Sequence, residues 1–206
     1  MGSHDRNIQQ RNIASITTPV NGTTTQYDAL GRVTDISAAS ELGTLTTMIR
    51  YLNGFQKQVT NPRLNVTTTA FQAFDEPVES APVSISAPLT ATTTIARDIF
   101  GKPMSITRSG TYKAATDSAT RSYVYDANQR LCKTIEPESG ATVLDYNTAN
   151  RVAWSASGQA LPGTTTCDRA SVLTAQKVAF GYDLLNRPKT TTFGDGSPSI
   201  SRSTTT

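Results

Sequence analysis

One pattern recurs down this chain and restricts what it can fold into. Its clearest copy is TTTQYDALGRVTDIS, Thr23 to Ser37. Related stretches are TTTIARDIFGKPMSIT from Thr92, RSYVYDANQRLCKTI from Arg121, TVLDYNTANRVAWS from Thr142 and KVAFGYDLLNRPKTTTF from Lys177. TTMIRYLNGFQKQVT from Thr46 and VTTTAFQAFDEPVES from Val66 are weaker copies, which makes seven units. Their leading positions are Tyr27, Tyr51, Phe71, Arg97, Tyr125, Tyr146 and Tyr182, spaced by 20 to 36 residues. Self-similarity at such a period marks a repeat architecture, and the uneven spacing suits hairpins with loops of different length.

The unit reads as strand, turn, strand. Threonine makes up roughly one residue in six and, with other β-branched residues, fills the stretch before each turn, where it favours extended backbone. Asp-x-x-Gly follows, as Asp28 with Gly31 and Asp98 with Gly101. The Asp accepts backbone N–H groups, and the Gly takes the positive φ that closes a type I turn into a bulge. Asn150 and Asn186 stand in for Gly, as the next residue to tolerate that region. A basic residue then opens the return strand: Arg32, Lys102, Arg130, Arg151 and Arg187. The motif residues singled out are therefore Tyr27, Asp28, Gly31, Arg32, Asp98, Gly101, Tyr125, Asp126, Arg130, Tyr146, Asn150, Arg151, Tyr182, Asp183, Asn186 and Arg187. In YLNGFQ, Asn53-Gly54 is the signal of a two-residue hairpin. Asn61-Pro62…Asn65 and Glu136-Pro137…Gly140 mark a second, Pro-type turn between hairpins. Alternation of the two turn types predicts an all-β, up-and-down antiparallel ribbon of tandem hairpins, open at both ends.

Composition narrows the function. Of 206 residues, 36% are hydrophobic and 17% charged, and the net charge of +3 is scattered. No basic run points to nucleic acid or an anionic membrane, and no apolar segment approaches a span or a signal peptide. Met1 to His4 read as a tag remnant, and with them goes the only histidine. Residues 5–206 read as one block of repeats, clearest over 23–193, cut from a longer protein that ends here in Thr204, Thr205 and Thr206.

No catalytic constellation is expected, nor any metal or cofactor. Glu136 with Glu138 and Asp75 with Glu76 fall in predicted turns, and nothing suggests a cleft that would tune their acidity. Asp195-Gly196 reads as a turn, without the alternating acidic ligands of a calcium loop. Asn21-Gly22-Thr23 and Asn65-Val66-Thr67 fit the glycosylation acceptor pattern by chance in so Thr-rich a chain. Cys132 and Cys167 stand alone, so no CxxC clamp exists. A disulfide, two buried thiols and an incidental pair are all open readings; a disulfide would tie the loop holding ALPGTTT, from Ala160, to the strand beginning at Arg130. The repeated Tyr, Asp and Arg residues suit cross-strand packing and turn locking, or else a strip that stacks on sugar rings.

Several YDxxGR-like copies, with NPRLN and PESG turns between them, resemble the YD repeats of bacterial Rhs proteins and the related animal teneurins. The resemblance covers roughly Thr23 to Phe193. It implies a β-sheet ribbon, curved and twisted into part of a hollow shell, which in bacterial members encloses a C-terminal toxin domain. The expected partners are the rest of that shell and its toxin, with glycans as partners under an alternative adhesion role. Self-association through open strand edges is also expected. Rhs-like proteins are exported, which implies a secreted or cell-surface location and permits a Cys132–Cys167 disulfide. Gln72, Glu76 and Arg97 depart from the usual Asp, Arg and Tyr. The Asp-Pro of the family's self-cleaving core is absent.

Overall fold

The computed structural model describes residues 8–11, 22–73 and 77–202. The tag remnant, Asn21, the Asp75-Glu76 pair and the C-terminal threonines lie outside the described residues. Sixteen strands follow one another among the described residues: β1 Ile8–Arg11, β2 Gly22–Tyr27, β3 Val33–Ser40, β4 Gly43–Leu52, β5 Gln56–Thr60, β6 Val66–Ala73, β7 Pro77–Ser86 and β8 Thr92–Arg97. Then come β9 Pro103–Tyr112, β10 Ala115–Tyr125, β11 Leu131–Glu136, β12 Gly140–Tyr146, β13 Val152–Gln159, β14 Val178–Tyr182, β15 Pro188–Phe193 and β16 Ile200–Ser201. Hydrogen-bonded neighbours are neighbours in the chain, from β1 to β16, in an open, antiparallel, all-β sheet. The residues group into two compact units. The first comprises residues 1–95 with 108–118, the second 96–107 with 119–206.

The motif turns share one construction. At Asp28 the backbone N–H donates to the Arg32 carbonyl and Gly31 N–H donates back to the Asp28 carbonyl, each at 2.9 Å. The same pair of bonds closes the turns at Asp98, Asp126, Asn147 and Asp183. The fourth turn residue has a positive φ every time: 77° at Gly31, 79° at Gly101, 63° at Gln129, 58° at Asn150 and 61° at Asn186. A bulge follows in the return strand. Tyr27 pairs with Val33 but Gln26 with Asp35, so Thr34 is extra. Cys132, Ala153 and Lys189 hold the equivalent place in later repeats.

Three turn expectations are corrected. Leu52 pairs with Gln56, so Asn53-Gly54 belongs to a three-residue loop in which Gly54 and Phe55 both have positive φ, rather than a two-residue hairpin. The Asn61 turn has the hydrogen bonds of the motif turns, Asn61 N–H to Asn65 O and Leu64 N–H to Asn61 O, so it is not a second type. Asn at the first position supplies the same acceptor as Asp, which outweighs the proline beside it. Gln72 lies within β6, where Ala73 rather than Phe71 pairs with Pro77. The hairpin at Lys113-Ala114 was not foreseen: both residues sit at positive φ without a Gly or Asn.

Burial concentrates in the second unit. Val143, Ala156 and Val172 form a small core with Trp154 and Leu161 packed against it. β12 buries alternate residues, Ala141 and Val143, as a half-covered strand should. Gly140 opens that strand at φ +76°, and a Cβ there would stand 2.8 Å from the Gln159 carbonyl oxygen. Gly140→Ala is expected to cost about 1–2 kcal/mol through the left-handed backbone and this contact. A urea titration shifted by less than about 0.5 kcal/mol would contradict that reading of the turn.

Candidate functional site

The repeated motif is the first feature with a defined geometry. Asp28 Oδ1 accepts the N–H groups of Leu30 and Arg32, and Oδ2 takes the Arg32 guanidinium at 2.7 Å. Asp126 with Arg130 and Asp183 with Arg187 repeat this. Asn61 and Asn147 keep only the backbone half. Backbone donation by the following arginine is the main reason the Asp28 and Asp183 carboxyls are held below their ordinary value. Asp followed four residues later by Arg is therefore one self-contained lock.

The tyrosine belongs to a different contact, one repeat further along. Tyr125 Oη donates to the Pro103 carbonyl at 3.0 Å, Tyr146 Oη to Leu131 at 2.6 Å and Tyr182 Oη to Val152 at 2.9 Å. Each acceptor directly follows the basic residue of the preceding repeat. The β11–β12 ladder ends at Lys133–Val143 and the β13–β14 ladder at Trp154–Ala179, short of Leu131 and Val152. The phenol supplies the donor that the diverging strand cannot. The basic residue of the earlier turn then caps the same ring: Arg130 over Tyr146 at 4.6 Å and Lys102 over Tyr125 at 5.1 Å. In the first unit Arg32 lies over Tyr51 at 4.1 Å. Burial, aided by the Asp126 carboxylate, pushes the Tyr146 phenol above its ordinary value. Tyr146→Phe and Tyr182→Phe are each expected to cost about 1 kcal/mol, the worth of a hydrogen bond whose carbonyl loses its partner. Differential calorimetry that cannot separate both variants from the parent would remove the hydroxyl from this account.

The second feature is the connection between β13 and β14. It runs from residue 160 to 177 as a flap with two single-turn 3₁₀ segments, Arg169–Ser171 and Thr174–Gln176. Val172 is its buried apolar residue. Cys132 and Cys167 are joined as a disulfide with their Cα atoms 5.3 Å apart. Lys133, wholly buried, is ion-paired with Asp168. The bulge at Cys132 explains how consecutive strand residues both reach the flap, since a bulge breaks the strict alternation of faces. Lys133 chiefly, and then the Thr166 hydroxyl, hold the Asp168 carboxyl below its ordinary value. Arg169 donates to Asp126 Oδ2 at 3.0 Å and to the Leu144 carbonyl at 2.9 Å, and its Nε is ion-paired with Asp145 Oδ1 at 3.1 Å. Burial of Asp126 opposes its ionisation, but bonds from Arg130 and Arg169 outweigh it and hold this carboxyl far below the carboxylate range. Trp154 Nε1 donates to Asp145, and Lys177 lies 4.2 Å from the ring centroid.

The candidate residues thus divide into two sets. The Tyr and the basic residue of the repeats join adjacent repeats and the Asp locks its own turn; the two cysteines join the flap to β11. Lys133, Asp145, Asp168 and Arg169 were missed, because nothing in the sequence marks them as partners of residues 24 to 43 positions away; Asn147 and Trp154 were missed although their partners are local. Open grooves beside the motif turns have volumes of about 520 Å³, next to Arg130, Tyr146 and Asn150, and about 380 Å³, next to Arg32, Tyr51 and Phe71. Among the described residues no group of three or more His, Cys, Asp or Glu side chains could hold a metal ion. No helix among them is long and apolar enough to cross a membrane.

No protein-family model matches the chain, and no curated protein matches it. Solved structures do. The crystal structure of TcdB2-TccC3-TEV is similar over 83% of this chain with a TM-score of 0.55 at 13% identity. That of TcdB2-TccC3 without its hypervariable C-terminal region gives the same coverage, score and identity. The chain shares the fold of a part of these chains. It spans 9% of their length.

Proposed function

We propose that this chain is a structural repeat segment of an Rhs-type protein, contributing to a β-shell that encloses a C-terminal toxin domain. The observation that carries this reading is the coupling between successive turns. The turns at Asp98, Asp126 and Asn147 each close on their own first residue and offer a carbonyl to the tyrosine of the next repeat, and the first two also set a cation over its ring. Such a unit can be added indefinitely, each repeat satisfying the one before it, as a shell wall requires. The shared fold with toxin-complex chains, at low identity and over a small part of their length, supports the same reading. The segment's work is then physical rather than catalytic: it covers strand edges and separates an interior from solvent.

An adhesion role, in which the motif tyrosines stack on sugars, fits less well. Tyr125 and Tyr146 already carry a cation over the ring and spend the hydroxyl on a carbonyl. The deciding experiment uses the full-length parent protein with residues 22–202 deleted, produced beside the intact form. Deletion should make the protein harmful to the producing culture at matched expression. Equal growth of both cultures, with an active toxin domain shown after release by proteolysis, would overturn the shell reading.

A further inference from the structure

The flap differs from every other connection in the second unit. The neighbouring connections are turns of three to five residues, whereas this one inserts 18 residues between β13 and β14 and contributes only Val172 as a buried apolar residue. β13 and β14 share just two paired positions, Trp154–Ala179 and Ser155–Val178. What keeps the flap down is a row of ties on consecutive residues: the disulfide at Cys167, the ion pair at Asp168 and the fork of Arg169. Only the first is covalent, and only the first responds to redox conditions. Its two sulfur-bearing residues are unequal. Cys132 is wholly buried beneath the flap, whereas Cys167 is partly exposed on it.

We infer that the Cys132–Cys167 disulfide is a reductively released latch, whose reduction lets the 160–177 flap open more often against its remaining ion pairs while β11–β13 stay folded. The reductant is a dithiol. Its thiolate attacks the accessible Cys167 sulfur, the S–S bond breaks, and Cys132 leaves as a thiolate that takes up a proton. The second thiol of the reagent then displaces Cys167 from the mixed disulfide. Two electrons pass from the dithiol, which ends as its own disulfide, and both cysteines end as thiols. The strands below survive because their ladders do not involve the flap: Lys133–Val143 and Thr134–Thr142 pair β11 with β12, and Leu144–Ser155 pairs β12 with β13. The latch is closed in an oxidising compartment and open in a thiol-rich one.

The chain carries its own reporter. Trp154 is its single tryptophan, packed against the small core and capped by Lys177 at the end of the flap. The full chain is treated with dithiothreitol under native conditions, and alkylation with mass measurement establishes that both thiols are free. Hydrogen exchange across 160–177 should then accelerate on the order of 100-fold, the usual worth of one structural disulfide. Trp154 emission should shift to the red and become open to acrylamide. Amides of Val143, Leu144 and Ser155 should keep their protection. A Cys132→Ser, Cys167→Ser double variant should show the same pattern without reductant. Three results would each overturn the latch: a disulfide that resists native reduction, a flap still protected after complete reduction, or strands β11–β13 that lose protection together with it.

Discussion

Asp168→Ala is expected to destabilise the second unit by about 3–5 kcal/mol, the cost of leaving a buried charge without its partner. Lys133 has no exposed surface, and Asp168 is its ion-pair partner. The prediction has a built-in check. Replacing the lysine as well, with Lys133→Met, removes the orphaned charge and should restore most of the loss, because a buried pair is often matched by apolar residues of similar volume. Urea unfolding followed by Trp154 emission measures both. A double variant no better than Asp168→Ala would mean that the loss comes from the Thr166–Asp168 contact and the flap backbone, not from the buried ammonium.

Asp126→Ala should rank close behind, at about 3 kcal/mol, and well above the same change at Asp28. Both carboxylates lock a turn by accepting two backbone N–H groups and an arginine. Only Asp126 is nearly buried and also holds Arg169 of the flap. Its loss takes a carboxylate partner from two guanidinium groups and an acceptor from two backbone donors at once. A matching pH effect follows. Asp126 and Asp168 both have carboxyls depressed in the folded state, so the stability they contribute is complete above the ordinary carboxylate value. It drains away as pH falls through that value toward the folded ones. Stability should therefore be level near neutrality and fall below about pH 4, with a shallower fall in Asp126→Asn. An equally steep fall in that variant would place the acid sensitivity elsewhere.

The comparison of Asp28 with Asp126 shows where sequence reasoning stops. The hairpins were legible because each turn is local: Asp at the first place, a residue tolerant of positive φ at the fourth, a cation at the fifth. Gly31, Gly101, Asn150 and Asn186 announce that backbone directly. Gln129 and Leu64 do the same work with no such signal, held there by the hydrogen bonds around them. The Asn53-Gly54 loop shows the opposite error. A strong dipeptide preference was overridden by the register of β4 against β5, which admits Phe55 as a third loop residue.

The sequence by itself determined the all-β class, the succession of hairpins and the chemistry of the Asp-type motif turns, since all of these rest on residues within five positions of one another. The tyrosine ladder was half visible: the Tyr could be seen, but not the carbonyl it serves in the previous repeat, 15 to 30 positions earlier. Only the tertiary structure decided the flap. Cys132 with Cys167, Lys133 with Asp168 and Asp126 with Arg169 are pairs 35 to 43 residues apart, and neither charge nor spacing selects them from the alternatives. They meet because a bulge in β11 turns two consecutive side chains toward one face, and because that face is where the long connection between β13 and β14 returns.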